Sequence, residues 1–361
     1  MLRSAAKNHD SVTVVVDPAD YEAVAAQIKT SGGTTLELRR ALAAKVFART
    51  AAYDGAIAAH LGKVFRFQSS GFTPPSALLV SAPLAQSLRY GENPHQAAAL
   101  YGRFHDYFKQ LHGKELSYNN ILDLTAAAAL IGEFTDDGPT LAILKHTNPC
   151  GVGQGDSLRE AWDKAFATDR QAPFGGIIAV NCPLDGAGAE AIAEIFSEVI
   201  VAPDFSPEAL AILQKKKNLR LLQVLKPPQG SPALDVRSVG ADSFLLQEPD
   251  QKVTGEADLK IVTRRPPTEA ELRAMLFGWR VVKHVKSNAI AMPRSSAAAI
   301  TSASRTEPPG WIAAVAPASA AAINPSGNGK NASLQTTLPW SESPASPAFH
   351  TAMRLESTRL I

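Results

Sequence analysis

The sequence predicts an α/β layered fold, and three observations lead to it. From Ser87 onward, short β-branched or apolar runs alternate with Ala-rich segments of helical spacing. Leu141–Leu144 and Ile177–Val180 are apolar throughout, as strands buried in a sheet are. A helix start is also legible: Pro266-Pro267 leads into Thr268, and Glu271 three residues later completes a capping box.

In chain order, Ser11–Val16 (SVTVVV) reads as a strand closed by Asp17-Pro18. Tyr21–Lys29 and Thr35–Leu61 read as helices. Phe67–Ala82, broken by Gly71, Pro74 and Pro75, reads as a linker. Helices are then expected at Ile121–Phe134, Ser157–Thr168, Gly188–Ser197, Pro207–Lys216 and Thr268–Val285, with strands at Thr140–Leu144, Gly176–Val180 and Val199–Ala202. From Arg294 on, Ala, Ser and Pro make up about half of the residues and no period persists, so a poorly ordered tail is expected.

Composition narrows the function classes. The chain has 361 residues, enough for two or three folding units. A net charge of +2 leaves no concentrated basic face for nucleic acid. The densest cluster, Lys215-Lys216-Lys217, reads as a solvated turn. Two cysteines, Cys150 and Cys182, form neither a disulfide framework nor a zinc-binding pair, which fits a reducing cytoplasm. No apolar run reaches the roughly 18 residues of a membrane span, and MLRSAAKNHD is no signal peptide.

Four stretches concentrate polar chemistry. TLAILKHTNPCGVG (140–153) ends an apolar strand on Lys145-His146; strand ends are where α/β sheets place ligands, and an imidazole moves protons near neutral pH. SLRYGENPHQ (87–96) offers Arg89 as an anion fork, Tyr90 as a stacking face, and a turn at Gly91 and Asn93-Pro94 that returns His95. ELSYNNILDL (115–124) sets Asn119 and Asn120 at a helix start, suited to capping or to a ligand edge. FGGIIAVN (174–181) places Gly175-Gly176 ahead of a strand. Cys150 reads as a small buried residue rather than a nucleophile. No metal-ligand spacing appears.

In order, SLRYGENPHQ, GKELSYNNILD, LKHTNPCGVG, RQAPFGGIIAVN, EVIVAPDFSPEALAIL with KKKN, and WRVVKHVKSNAI resemble the bifunctional purine biosynthesis family over roughly residues 1–292. That family joins an inosine monophosphate cyclohydrolase to an aminoimidazole-carboxamide ribonucleotide (AICAR) formyltransferase. The resemblance implies a cytidine-deaminase-like formyltransferase domain without zinc, preceded by a methylglyoxal-synthase-like cyclohydrolase domain. It implies 10-formyltetrahydrofolate as co-substrate, no metal for the chemistry, and a site built across a homodimer. Lys145, His146 and Asn288 match the catalytic positions. Arg89, Tyr90 and His95 match the nucleotide side, while Asn120, Gly175 and Glu198 match positions lining the nucleotide and folate pocket. The implied domains are 1–66 (cyclohydrolase remnant), 67–82 (linker), 83–292 (partial formyltransferase) and 293–361 (tail).

Two departures qualify these expectations. MLRSAAKNH matches the end of the cyclohydrolase domain; Lys7 corresponds to one of its active-site lysines, and its partners have no counterpart, so no cyclohydrolase activity is expected. After SNAI the family's GAGQ-type segment is not readable, and the tail has the composition of a shifted reading frame. Weak or absent formyl transfer is expected from the polypeptide as written, the alternative being a non-catalytic nucleotide-binding fragment.

Overall fold

The computed structural model describes residues 1–64, 74–227, 235–262, 264–286, 290–294, 297–301, 314–315 and 353–354. Its first helices are α1 (Leu2–Lys7), α2 (Tyr21–Ser31) and α3 (Leu36–Val64). There follow β1 (Leu84–Leu88), β2 (Ala98–Tyr101), α4 (Phe104–Tyr107), β3 (Phe108–His112) and α5 (Tyr118–Gly132). The centre of the chain holds β4 (Thr140–Lys145), β5 (Asn148–Gln154), α6 (Leu158–Thr168), β6 (Gly176–Val180) and α7 (Gly186–Ala193). It continues with β7 (Ser197–Ala202), α8 (Pro207–Leu213), β8 (Arg220–Val224), β9 (Asp235–Gly240) and β10 (Ser243–Gln247). The last elements are β11 (Lys260–Ile261), α9 (Glu269–Val282), β12 (Ile290–Arg294), β13 (Ala297–Thr301), β14 (Ala314–Val315) and β15 (Met353–Arg354).

Two compact units result: Met1–Pro83 with Leu234–Pro249, and Leu84–Ala233 with Asp250–Ile361. In the first unit, Ala6 of α1 packs with Val14, Ala43 and Val46. Ser11–Val16, expected as a strand, has no ladder partner among the described residues; Val14 is buried by helix packing instead. β9 and β10 pair as an antiparallel hairpin.

The second unit is mixed α/β around a mixed sheet, ordered β14-β12-β13-β5-β4-β6-β7-β8-β3 among the described residues. β6, β7 and β8 run parallel, and β4 is antiparallel to both its neighbours, β5 and β6. Side chains alternate across a strand, so Leu141 and Ile143 face one layer and Ala142 and Leu144 the other. α5 and α9 cover the second face through Leu124, Leu130, Phe277 and Val281, while α6, α7 and α8 cover the first through Trp162, Ile192 and Leu213. Burial on both faces is why β4 reads as an unbroken apolar run.

Several element ends differ from the expected ones for local reasons. α7 stops at Ala193, so Ser197 belongs to β7. α8 stops at Leu213; Lys216, expected in a solvated turn, folds back and donates to the Ala193 carbonyl at 2.7 Å and the Ile195 carbonyl at 2.9 Å. The Ala193 carbonyl is one of those that a helix end leaves unpaired. α9 has the expected capping box, with the Glu271 amide donating to Thr268 Oγ1.

The largest departure from local propensity is β5, whose Asn148-Pro149 and following glycines are turn-forming residue types. Tertiary packing overrides that weak strand propensity. A Cβ at Gly153 would lie 2.2 Å from the Ala161 carbonyl oxygen, and one at Gly151 would lie 2.2 Å from that of Ala165. The glycines let α6 lie directly on the strand. In the segment expected to lack structure, Ala297–Thr301 pairs with β5 and Ala314–Val315 with β12. Met353–Arg354 pairs with β11; the rest of that tail, and Phe67–Thr73 of the expected linker, lie outside the described residues.

Candidate active site

Lys145 and His146 stand at the tip of the β4–β5 hairpin. Lys145 pairs with Asn148, so the loop is two residues long, His146-Thr147. Both carry positive φ, 53° and 63°. That is the conformation a two-residue hairpin requires, and Asn-Gly is its usual sequence. A left-handed non-glycine residue costs about 1–2 kcal/mol, and β-branched Thr147 is among the least suited. The hairpin is therefore held by something outside itself.

The holder is Asp123, on the second turn of α5. Its Oδ1 accepts the Thr147 backbone N–H at 2.8 Å. Burial pushes the Asp123 carboxyl up, against the pull of the Thr147 and His146 backbone N–H groups, the His146 ring and Lys286. Sequence reading quoted Asp123 only as part of a motif. Its signal was the spacing Asn119–Asp123, one turn apart on a single helix face.

Lys145 is partly buried, and its Nζ donates to the Phe174 carbonyl at 2.9 Å, tying the hairpin to the turn before β6. An ammonium carries three donors, so two remain for a ligand. The turn needs Gly175, whose φ is 75°; its N–H donates to the Phe196 carbonyl at 2.8 Å. Because β4 runs against β6, β7 and β8, its carboxyl end meets their amino ends. Glu198, near the start of β7, accepts from Arg220 Nη1 at 2.8 Å, and Arg220 Nε donates to the Glu115 carbonyl. The buried Arg220 was missed because a lone arginine at a strand start carries no pattern.

SLRYGENPHQ is the loop of the β1–β2 hairpin. The Gly91 N–H donates to the Gln96 carbonyl at 2.7 Å, closing the expected turn. Arg89 is exposed and sits over the Tyr90 ring at 5.6 Å; His95 is exposed. Asn119 Nδ2 donates to the Glu92 carbonyl at 3.3 Å. The first turns of α5 thus hold both loops, through Asn119 and Asp123, about 6 Å apart along the axis.

Asn120 is buried and reaches back to the Ser117 N–H at 3.1 Å, completing the capping box of α5. Capping is its observed contact. Cys150 lies half-buried in β5, and burial, with Asp169 adding to it, pushes its thiol up to about 11 against Lys145. Asn288 lies outside the described residues; Lys286, two positions earlier, donates its N–H to Asn148 Oδ1 at 3.3 Å. In the first unit, Lys7 ends α1 and lines a cleft with His9, Arg40 and Phe47. Among the described residues, no group of three His, Cys, Asp or Glu side chains could hold a metal, and no helix is long and apolar enough to cross a membrane.

Residues 5–304 match the model of the AICARFT/IMPCHase bienzyme family. The bifunctional purine biosynthesis protein PurH of Chloroflexus aurantiacus is 55% identical over 291 residues, covering 80% of this chain and 55% of that protein. PurH of Chlorobium chlorochromatii is 50% identical over 303 residues, covering 80% of this chain and 56% of that protein. PurH of Chlorobium luteolum is 49% identical over 302 residues, with the same coverage of 80% and 56%. The chain spans about half the length of these relatives. An ordered match over most of its residues has one reading: the chain belongs to the AICARFT/IMPCHase bienzyme family.

Proposed function

We propose that this chain carries a purine-biosynthesis site that transfers a formyl group from 10-formyltetrahydrofolate to the 5-amino group of AICAR nucleotide, with weak turnover from the polypeptide as written. The observation that supports it is the Lys145–Phe174 hydrogen bond, which gathers the Lys-His hairpin and the glycine turn at one sheet edge. The amine nitrogen attacks the formyl carbon and a tetrahedral oxyanion forms. His146, exposed at the hairpin tip, takes the amine proton and returns it to folate N10 as the carbon–N10 bond breaks. Lys145 offsets the oxyanion charge with its two remaining donors. Asn288 orients the formyl group or the imidazole. Arg89 and Tyr90 hold the nucleotide's phosphate and base with His95 beside them, and Asn120, Gly175 and Glu198 line the pocket.

In this reading residues 83–292 are the cytidine-deaminase-like formyltransferase domain, acting as a homodimer in the cytoplasm. Residues 1–66 are a methylglyoxal-synthase-like cyclohydrolase remnant in which Lys7 does no cyclohydrolase chemistry. The test is formyl transfer followed by tetrahydrofolate formation, alongside a melting curve with and without AICAR nucleotide. The nucleotide should raise the midpoint, since it binds only the folded form. His146→Ala should lower turnover at least about 100-fold while keeping that shift. A His146→Ala protein as active as the parent would sink the assignment.

A further inference from the structure

We propose that Asp123 is the positioning residue of the Lys145-His146 pair, acting by holding the hairpin tip that presents the imidazole. The inference rests on the formyl-transfer reading of that pair for its kinetic consequence, and on geometry alone for its structural one. His146 and Thr147 both occupy left-handed backbone, where neither residue type settles by itself. Two local hydrogen bonds, from Thr147 Oγ1 to the His146 carbonyl at 2.7 Å and from Asn148 Nδ2 to the same oxygen at 3.2 Å, stay within the hairpin. They travel with the tip and cannot fix it against the sheet. The Thr147 N–H to Asp123 bond, at 2.8 Å, is different, because it joins the tip to a helix 24 positions away whose next turn is buried at Leu124, Ala127 and Ala128.

The same helix face fixes the nucleotide-side loop through Asn119. A shift of α5 would therefore carry both loops together, whereas loss of Asp123 alone would free only the hairpin. That separates the kinetic effects. Nucleotide binding should survive removal of the carboxylate, and the chemical step should not, since an imidazole misplaced by about 1 Å costs on the order of 100-fold. The charged and titratable groups facing Asp123 are His146 and Lys286. The bond itself needs an acceptor, not a charge, so an amide in place of the carboxylate should retain most of it.

The experiment compares the full chain with Asp123→Ala, Asp123→Asn, Thr147→Gly and the Asp123→Ala/Thr147→Gly double variant. Amide hydrogen exchange of Thr147 is measured together with kcat and the nucleotide KM for formyl transfer. Asp123→Ala should speed exchange by about tenfold or more and lower kcat by about 100-fold, with KM changed less than about threefold. Asp123→Asn should recover most of both. Thr147→Gly removes the strain that the anchor opposes, so the double variant should be more active than Asp123→Ala alone. Unchanged Thr147 exchange in Asp123→Ala overturns the proposal. So does a KM-only effect, or equal loss in Asp123→Asn and Asp123→Ala. If the parent chain and all variants lack turnover, the formyl-transfer reading has failed while the exchange arm still decides whether Asp123 holds the tip. If Asp123→Ala folds poorly, the Asp123→Ala/Thr147→Gly double variant, in which the strained tip is relieved, is compared with Thr147→Gly instead, and equal Thr147 exchange in those two overturns the proposal.

Discussion

Lys145 and Phe174 are joined by a 2.9 Å hydrogen bond from the ammonium at the end of β4 to the backbone carbonyl in the turn that leads into antiparallel β6. Because the acceptor is backbone, no side-chain change at Phe174 removes it. Lys145→Met keeps the apolar stem and deletes the donors. Turnover in the formyl-transfer assay should fall about 100- to 1000-fold, the usual cost of losing one oxyanion donor. Lys145→Met with full turnover would exclude charge stabilisation by this residue.

The contact between β5 and α6 makes a stability prediction independent of function. At Gly153 a Cβ would meet the Ala161 carbonyl oxygen at 2.2 Å and the Ala165 nitrogen at 2.7 Å, both backbone atoms that cannot swing away. Gly153→Ala should destabilise the second unit by about 3 kcal/mol, at the upper end of overpacking costs. Gly138→Ala, whose Cβ would find its nearest neighbour at 3.6 Å, is the control and should change stability by less than about 0.5 kcal/mol. Urea midpoints of the two variants decide the matter.

Acid sensitivity should centre on Glu133, at the end of α5. Its Oε1 accepts from Lys283 Nζ at 2.8 Å and His284 Nε2 at 3.1 Å, and all three side chains are largely buried. Burial pushes this carboxyl up, but the hydrogen bonds from His284 and Lys283 outweigh it and hold the net value below the ordinary 4.5. A depressed carboxyl stabilises the fold fully above the unfolded value and loses that contribution as pH falls through the folded one. Glu133→Gln should cost about 3 kcal/mol at pH 7 and show a shallower loss of stability below pH 4.5 than the parent. Parallel pH profiles for the two proteins would show that the cluster contributes nothing.

Cys150 gives a prediction of no effect. A thiol raised to about 11 is almost wholly protonated near neutrality, and the thiolate is the reactive form. Iodoacetamide should modify Cys150 at least about tenfold more slowly than a free thiol at pH 7.5, read by peptide mass spectrometry. Cys150→Ala should keep turnover within about twofold. Loss of activity on alkylation would instead favour a cysteine-dependent reaction.

What the sequence determined by itself was whatever rests on local pattern. β4 was legible because both its faces are buried, and α9 because Thr268 and Glu271 write a capping box. The family was legible because its motifs are contiguous. Tertiary structure alone decided the rest. β5 is a strand because α6 presses on its glycines, and Ser11–Val16 is not one because no described strand pairs with it, the Ser11 and Val12 N–H groups donating to the Asn8 carbonyl instead. Asp123 and Arg220 became visible only when α5 met the hairpin and β8 met β7. The physical reason is range: caps and periodicity act within a turn or two of chain, whereas the anchor of the Lys-His pair reaches it across 24 residues, through one hydrogen bond that no local rule contains.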